Sequence, residues 1–169
     1  TKDGGLAWKP TEIVPATVKV AEASSTINGA SLALGTSLTM NYYATVHEQH
    51  AGAQMRFTVN ATEYVVDGVA SGDEMVYSLP LNPQQMADNI RAELILGDTV
   101  LASNVGYSVV ANLTNVAQKD GASDTLKTLI ANTLEYGAMA QIYMGYRTDR
   151  LANAGLADLG LTPTTDIPT

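Results

Sequence analysis

The residue types most typical of a metal site occur together at His47-Glu48-Gln49-His50. Zinc-dependent proteases place three residues between two histidines on a helix, so that both imidazoles lie on one face. Here only two residues separate His47 from His50, and Ala-Gly-Ala follows them. The spacing therefore predicts a polar hairpin loop and no metal site. Adventitious binding of a transition metal by the two imidazoles and Glu48 is the alternative.

Other catalytic motifs are missing from the sequence. There is no cysteine, which excludes thiol catalysis and cysteine-ligated zinc. No Gly-x-Ser-x-Gly elbow is present, and the glycines form neither a P-loop nor a dinucleotide-binding fingerprint. Asp73, Glu74 and Glu93 are acids that a glycoside hydrolase could pair, but solvated acids on an acidic surface fit better. The sequence predicts a protein that is not an enzyme and needs no cofactor.

The charge of the chain restricts its partners. Its 169 residues have a formal net charge of −8 and include only nine Lys and Arg. Phosphate recognition needs clustered basic residues, so the composition argues against nucleic acid and against anionic membranes. No apolar run is long enough to cross a bilayer. The length suits one domain, or one domain with a small annex, and a substantial core.

Aromatic residues are the remaining candidates for a binding site. Proteins that bind carbohydrates stack sugar rings on Trp or Tyr, while amides and charged groups bind the hydroxyls. Tyr43 and Asn41 lie on the polar face of a predicted strand, and Trp8 is the sole tryptophan. For Tyr43 the alternatives are a cross-strand pair or a position under a helix, and for Trp8 a plug at one end of the fold. Neighbouring strands are predicted to add four polar residues to the site: Arg56, Asn60, Arg91 and Glu93.

Strands must position these residues, and their period is visible between about residues 12 and 111. The alternation in 90–96 places Ala92, Leu94 and Leu96 on one face and Ile95 on the other, and Gly97-Asp98 then signals a hairpin. Many short strands separated by turn residues indicate an antiparallel, immunoglobulin-like β-sandwich. The other predicted strands are 14–20, 37–47, 54–60, 64–66, 75–79 and 105–110.

After Asn112 the period becomes that of a helix, predicted from about Asp124 to Met144. Ser123 is a suitable N-cap, and Gly145 is placed as a C-cap glycine. The apolar stripe of this helix is Leu126, Leu129, Ile130, Leu134, Gly137, Ala138 and Gln141.

Three small residues, Gly137, Ala138 and Ala140, shorten the side chains on the surface of this helix, so that a sheet or a second backbone can approach it closely. Glycine costs about 1 kcal/mol in helix propensity, so its presence needs a reason. We expect Gly137 to lie at the closest approach of the helix to the sheet. The nearby tyrosines are predicted to fill the space on either side of this contact: Tyr136, Tyr143 and Tyr146.

The sequence LEYGAMAQIYMGYRTDRLANA at 134–154 resembles the "LNYGAAAQ-Y-GY-TD-LAN" signature of a module found in extracellular proteins of gut and rumen clostridia. GASLAL at 29–34 and LTMNYY at 38–43 are also similar to that module, and the resemblance covers about residues 28–156. Such modules occur beside glycoside hydrolases, carbohydrate-binding modules and dockerins. The resemblance therefore implies a non-catalytic, secreted or cell-surface module of a bacterial fibre-degrading system of the cellulosome type. It transfers no active-site residues.

We therefore predict a single β-sandwich module at 13–157, with the C-terminal helix packed on it. Residues 1–12 are predicted to be irregular, and 158–169 to form a Pro/Thr-rich linker. The predicted function is carbohydrate binding, with plant polysaccharide or starch as the partner. The alternative is a structural spacer or a protein–protein interaction module that docks neighbouring modules of the same chain or assembly.

Overall fold

The computed structural model of the chain describes residues 22–164, which form two four-stranded antiparallel sheets and two α-helices. Trp8 and the predicted strand at 14–20 lie outside the described residues. The helices are α1 (Val109–Ala117) and α2 (Asp124–Met144). The strands are β1 (Thr26–Leu34), β2 (Leu38–Thr45), β3 (Gln54–Val59), β4 (Thr62–Asp67), β5 (Val69–Ser71), β6 (Glu74–Leu81), β7 (Ile90–Leu96) and β8 (Thr99–Tyr107).

The first sheet has the strand order β1-β2-β6-β5, and the second has the order β4-β3-β7-β8. This is the order of an immunoglobulin-type sandwich, with β4 as an additional strand next to β3. The predicted β-sandwich with a C-terminal helix is confirmed. The prediction of a hairpin at His47–His50 is wrong, because β2 and β3 belong to different sheets and this segment crosses between them.

The core lies between the sheets and is built from alternate residues of each strand. Met40 and Tyr42 point inward from β2, and Met55 and Phe57 point inward from β3. The rings of Tyr42 and Phe57 meet with centroids 5.0 Å apart and a tilt of 57°, a favourable aromatic arrangement that joins the two sheets. The residues between them along each strand therefore lie on the two outer faces, which point in opposite directions.

Strand β7 departs from the predicted alternation near its end. The register against β8 shifts between Leu94 and Ile95, where β8 holds one extra residue, Leu101, as a bulge. Ile95 is buried and Leu96 is exposed, the reverse of the prediction. The predicted hairpin at Gly97-Asp98 is confirmed, and Gly97 has the positive φ of 59° that such a turn needs.

Helix α1 occupies part of the segment 105–110 that was predicted to be a strand. The strand ends at Tyr107, and the Ser108 side chain accepts a hydrogen bond from the Ala111 N–H at 3.0 Å, which caps the helix. The valines at the start of α1 favour strands in general, but Val109 is buried in the core here. Asn112 donates to the Ala30 carbonyl at 3.4 Å, so α1 lies against the edge strand β1.

Helix α2 has the predicted bounds, with Ser123 as its N-cap and Gly145 as its C-cap in the left-handed region (φ 60°). It packs mainly on the turn at Pro83–Gln85 between β6 and β7, and on α1. The predicted contact of Gly137 with the sheet is therefore corrected to a contact with the β6–β7 connection. The packed chain continues beyond residue 157, since Leu161 is buried in the core.

Candidate functional site

The two histidines are already engaged in local contacts. The Gln49 N–H donates to His47 Nδ1 at 3.2 Å, and Ser25 Oγ lies 2.7 Å from His50 Nδ1. A cavity of about 370 Å³ beside His47 is lined by Asp67 and Glu74 among others. Among residues 22–164, no group of three or more His, Asp or Glu side chains is placed to hold a metal ion. The hydrogen bonds of the two histidines therefore stabilise the polar segment between β2 and β3.

The residues predicted to form one sugar-binding surface lie in three separate places. Asn41 and Tyr43 are on the outer face of the first sheet, and Asn60 is in the turn between β3 and β4. The charged residues lie on the outer face of the second sheet: Arg56, Arg91 and Glu93. The structure does not bring the groups together, because β2 pairs with β1 and β6 and has no hydrogen-bonded contact with β3 or β7.

The charged residues on the outer face of the second sheet form hydrogen bonds with one another. Arg56 donates to Glu93 Oε2 from Nε at 2.9 Å and from Nη2 at 2.7 Å, and Arg91 Nη2 donates to Oε1 at 2.6 Å. The hydrogen bonds from Arg56 lower the pKa of Glu93, and the same contact raises the pKa of Arg56. Glu93 is buried beneath the two guanidinium groups. This cluster ties β3 to β7, and its carboxylate is occupied by protein donors.

The outer face of the first sheet is uncharged around Tyr43. We name it the Tyr43 face, formed by Ser31 of β1, Asn41 and Tyr43 of β2, and Ser78 of β6. The hydroxyl groups of Tyr43 and Ser31 lie 2.9 Å apart, so the phenol ring extends along the sheet toward β1. Tyr43 is half-buried, which leaves part of the ring accessible to solvent.

Polar groups elsewhere on the Tyr43 face retain hydrogen-bonding capacity. Ser78 Oγ donates to Asn41 Oδ1 at 2.7 Å, and a hydroxyl that donates one bond keeps two acceptor lone pairs. At the end of the face, Asn28 Nδ2 donates to Glu74 Oε1 at 2.6 Å, so the nearest carboxylate is paired. The Tyr43 face thus offers a ring, hydroxyls and an amide without a free charge at its centre.

The C-terminal motif holds the segment that follows α2. The Gln141 side chain is buried, its Nε2 donates to the Arg150 carbonyl at 2.9 Å, and its Oε1 accepts from the Ala152 N–H at 2.7 Å. Asn153 Nδ2 donates to Glu135 Oε2 at 2.7 Å. These bonds fold residues 145–153 back onto the helix, so the motif is explained by packing.

Asn60 belongs to a second part of this packing. Tyr146 donates its hydroxyl to the buried Asp88 at 2.5 Å and accepts from Asn60 Nδ2 at 3.0 Å. Arg147 Nη1 donates to Asn60 Oδ1 at 2.9 Å and lies 3.6 Å from Asp88 Oδ1. Burial and the hydrogen bond to Asp88 raise the pKa of Tyr146. Asn60 therefore fastens the C-terminal segment to the β3–β4 turn.

Helix α2 exposes large apolar side chains on the side away from the core. We name this the α2 outer face, formed by Leu129 (51% exposed), Tyr136 (60%), Met139 (58%), Ile142 (60%) and Tyr143 (89%). The predictions that Leu129 is buried and that Tyr136 and Tyr143 fill internal space are wrong. Their spacing of seven residues puts Leu129, Tyr136 and Tyr143 on one line of the helix, a signal that the sequence contained.

A groove of about 580 Å³ lies beside this face, between α2 and the β1–β2 turn. Tyr136 and Asn132 line it from the helix, and Leu34, Asn82 and Pro83 line it from the sandwich. All its lining residues are uncharged, in a chain with a net charge of −8. The groove and the α2 outer face therefore meet at Tyr136, which belongs to both.

Comparisons with protein-family models, curated proteins and solved structures give no match for this chain. The resemblance of residues 28–156 to a clostridial module stays a prediction. In the part of the chain that the structure describes, no helix is long and apolar enough to cross a membrane.

Proposed function

We propose that this chain is a non-catalytic accessory module that binds an uncharged polysaccharide on the Tyr43 face. The observation that carries the proposal is the Tyr43 ring, which lies along a strand face among uncharged hydroxyls and an amide. Sugar rings stack on such aromatic faces, and their hydroxyls need donors and acceptors without net charge. The resemblance to the clostridial module favours plant polysaccharide or starch, and a secreted or cell-surface assembly as the setting.

Affinity electrophoresis of the purified chain against a panel of plant polysaccharides and starch tests this proposal. We expect retardation by at least one glycan. Tyr43→Ala should weaken that binding by about 1–3 kcal/mol, by analogy with the stacking of bases on aromatic residues. Tyr43→Phe keeps the ring and loses only the contact with Ser31, so it should retain most of the affinity.

A matched control is Tyr64→Ala, which removes a partly exposed tyrosine from β4 in the other sheet. It should leave glycan binding unchanged, as should added salt, because a neutral ligand is not held by charge. Trp8→Ala tests the second predicted ring separately. The proposal fails if no glycan retards the chain, or if folded Tyr43→Ala binds the same glycan as tightly as the parent does.

Protein docking is a second function, favoured by a different observation. Monomeric proteins rarely expose contiguous apolar patches of several large side chains, and such patches mark interaction sites. The α2 outer face presents five of them on one helix. Met139→Glu should abolish docking and leave glycan retention intact, whereas Tyr43→Ala should do the reverse. Equal effects of both variants on both assays would argue against two separate surfaces.

A further inference from the structure

We infer that the α2 outer face binds the same face of a second copy of this chain, in an antiparallel pair of α2 helices. The inference rests on the proposed docking function of this face and names its partner. A symmetric pair is self-complementary, since each residue contacts its counterpart across a two-fold axis. With the axis at Tyr136, Leu129 of one copy lies opposite Tyr143 of the other.

The spacing of the face suits a second helix. Leu129, Tyr136 and Tyr143 repeat every seven residues, and Met139 falls three residues after Tyr136. Leu129, Tyr136 and Tyr143 thus take a positions of a heptad and Met139 a d position, the pattern by which two helices pack side by side, while the preceding d position is Asn132, which bonds Thr164. The face runs along most of α2 (Asp124–Met144), so it offers a line of contact for a partner of similar length.

The exposed area is sufficient for a specific pair. The five residues of the α2 outer face together expose roughly 700 Å² of accessible surface in each copy. If a pair buries most of this surface in both copies, about 1,200 Å² is removed from solvent, which is the lower end of the range for specific interfaces. Leu34, which is 50% exposed, lies across the adjoining groove and can extend the contact area.

The low charge of α2 suits an apolar interface, while the net charge of the chain opposes self-pairing at low salt. Helix α2 has only three charged residues, Asp124, Lys127 and Glu135, and the Glu135 carboxylate accepts a hydrogen bond from Asn153. Two copies repel each other through their net charges of −8, so salt should tighten the pair by screening that repulsion. A basic partner protein would instead lose affinity as salt is added.

Sedimentation equilibrium of the full 169-residue chain tests the inference. The parent should dimerise reversibly, with a dissociation constant that falls between about 50 and 500 mM salt. Met139→Glu and Tyr143→Glu each place a charge in the pair and should raise the dissociation constant at least tenfold. The control is Val69→Glu, which adds the same charge at a 71% exposed valine of β5. It should change the dissociation constant only through the added repulsion between the two copies, and high salt should screen that repulsion.

A single engineered cysteine reports the orientation, because the chain has none of its own. Packed helices lie about 8–10 Å apart, so a short bismaleimide should join two Tyr136→Cys chains at the two-fold axis. Leu129→Cys should cross-link to Tyr143→Cys in a mixture, and Val69→Cys should not cross-link. Efficient cross-linking of Leu129→Cys to itself would indicate a parallel pair and contradict the inference.

A parent that stays monomeric up to about 1 mM in high salt overturns the self-pairing. The docking function is judged separately, by titration with a synthetic amphipathic helix that carries Leu at its a and d positions. If the monomeric parent binds that helix and Met139→Glu does not, the face docks a different protein. If neither association occurs, both the inference and the docking function fail.

Discussion

The two sides of helix α2 are both apolar in sequence, yet the fold uses them in opposite ways. The inner side carries Leu134, Gly137 and Gln141, all buried against the β6–β7 connection and the C-terminal segment. The outer side carries Tyr136 and Tyr143, whose side chains are mostly exposed. Apolar character alone therefore predicts the helix and does not predict which side of it packs.

Side-chain size and hydrogen bonding distinguish the two sides. On the inner side the backbone approaches so closely that a Cβ on Gly137 would lie 2.6 Å from Met86 Sδ and 3.2 Å from Ala152 Cβ. A buried amide such as that of Gln141 is tolerated only where its groups find partners, and here they bond to the backbone of the following loop. The outer side has large exposed side chains, and its contacts with the following segment are hydrogen bonds of polar groups, Asn132 with Thr164 and Glu135 with Asn153.

Among the substitutions that test this difference between the two sides of α2, Gly137→Leu is expected to lower the stability most. A leucine there has to displace Met86 and the less adaptable Ala152, so the loss from overpacking should outweigh the gain in helix propensity. We expect a destabilisation of about 3 kcal/mol, measured by urea denaturation. Ala140→Leu, on the outer side, should change stability by less than about 0.5 kcal/mol. Equal denaturation midpoints for the two variants would contradict the packing of Gly137.

The second prediction concerns the buried amide. Gln141→Leu leaves the Ala152 N–H and the Arg150 carbonyl without their partner, and each unsatisfied buried group is costly. We expect a loss of about 2–3 kcal/mol in the free energy of unfolding. Gln118→Leu changes an exposed glutamine at the end of α1 and is the control, with an expected change near zero. A Gln141→Leu variant as stable as the control would show that these bonds are dispensable.

Much of the fold could be predicted from local patterns. The bounds of α2 followed from Ser123, the apolar period and Gly145, because caps are local features of the chain. The bulge at Leu101 of β8 and the start of α1 could not be predicted, since both depend on tertiary contacts that override the strand pattern. The pairing of β2 with β6 is also non-local, and strand period gives no information on it.

The same limit explains the outcome for the predicted site. Alternation correctly placed Tyr43 and Arg56 on outer faces, but it could not tell that the two faces belong to different sheets. Ser31 and Ser78 on the Tyr43 face were missed, because only the strand register brings them next to Asn41. The seven-residue spacing of Leu129, Tyr136 and Tyr143 is visible in the sequence. This spacing indicates that the three residues share one side of the helix, and it does not indicate whether that side is buried or exposed.

The third prediction concerns Tyr146, in the segment that follows α2 and packs on its inner side. Tyr146→Phe removes the hydrogen bond to the buried Asp88 and should lower stability by about 1–2 kcal/mol. Arg147 still faces Asp88, which limits the loss. The control is Tyr143→Phe, which should have no measurable effect because that side chain is 89% exposed.

The pH dependence of Tyr146→Phe gives a sharper test. The fold raises the pKa of Tyr146 above its ordinary value of 10.0, so the folded state favours the neutral phenol. Its contribution to stability is therefore fully present below pH 10 and is lost as the pH rises above that value. The stability difference between the parent and Tyr146→Phe should stay constant at neutral pH and shrink in alkali. A difference that grows in alkali would contradict the assigned contact.

The smallest expected effect on stability is that of Tyr143→Ser on the outer side. Tyr143 is 89% exposed, so its removal takes little apolar area out of the folded monomer and should change the unfolding free energy by less than about 0.5 kcal/mol. The measurement has to be made at a concentration below that of any association, because binding to the folded state raises apparent stability. At high concentration the parent should then melt at a higher temperature than the variant, and at low concentration the two should melt alike. A variant that is destabilised equally at both concentrations would place Tyr143 in the packing of its own chain, and the contrast between the two sides of α2 would be lost.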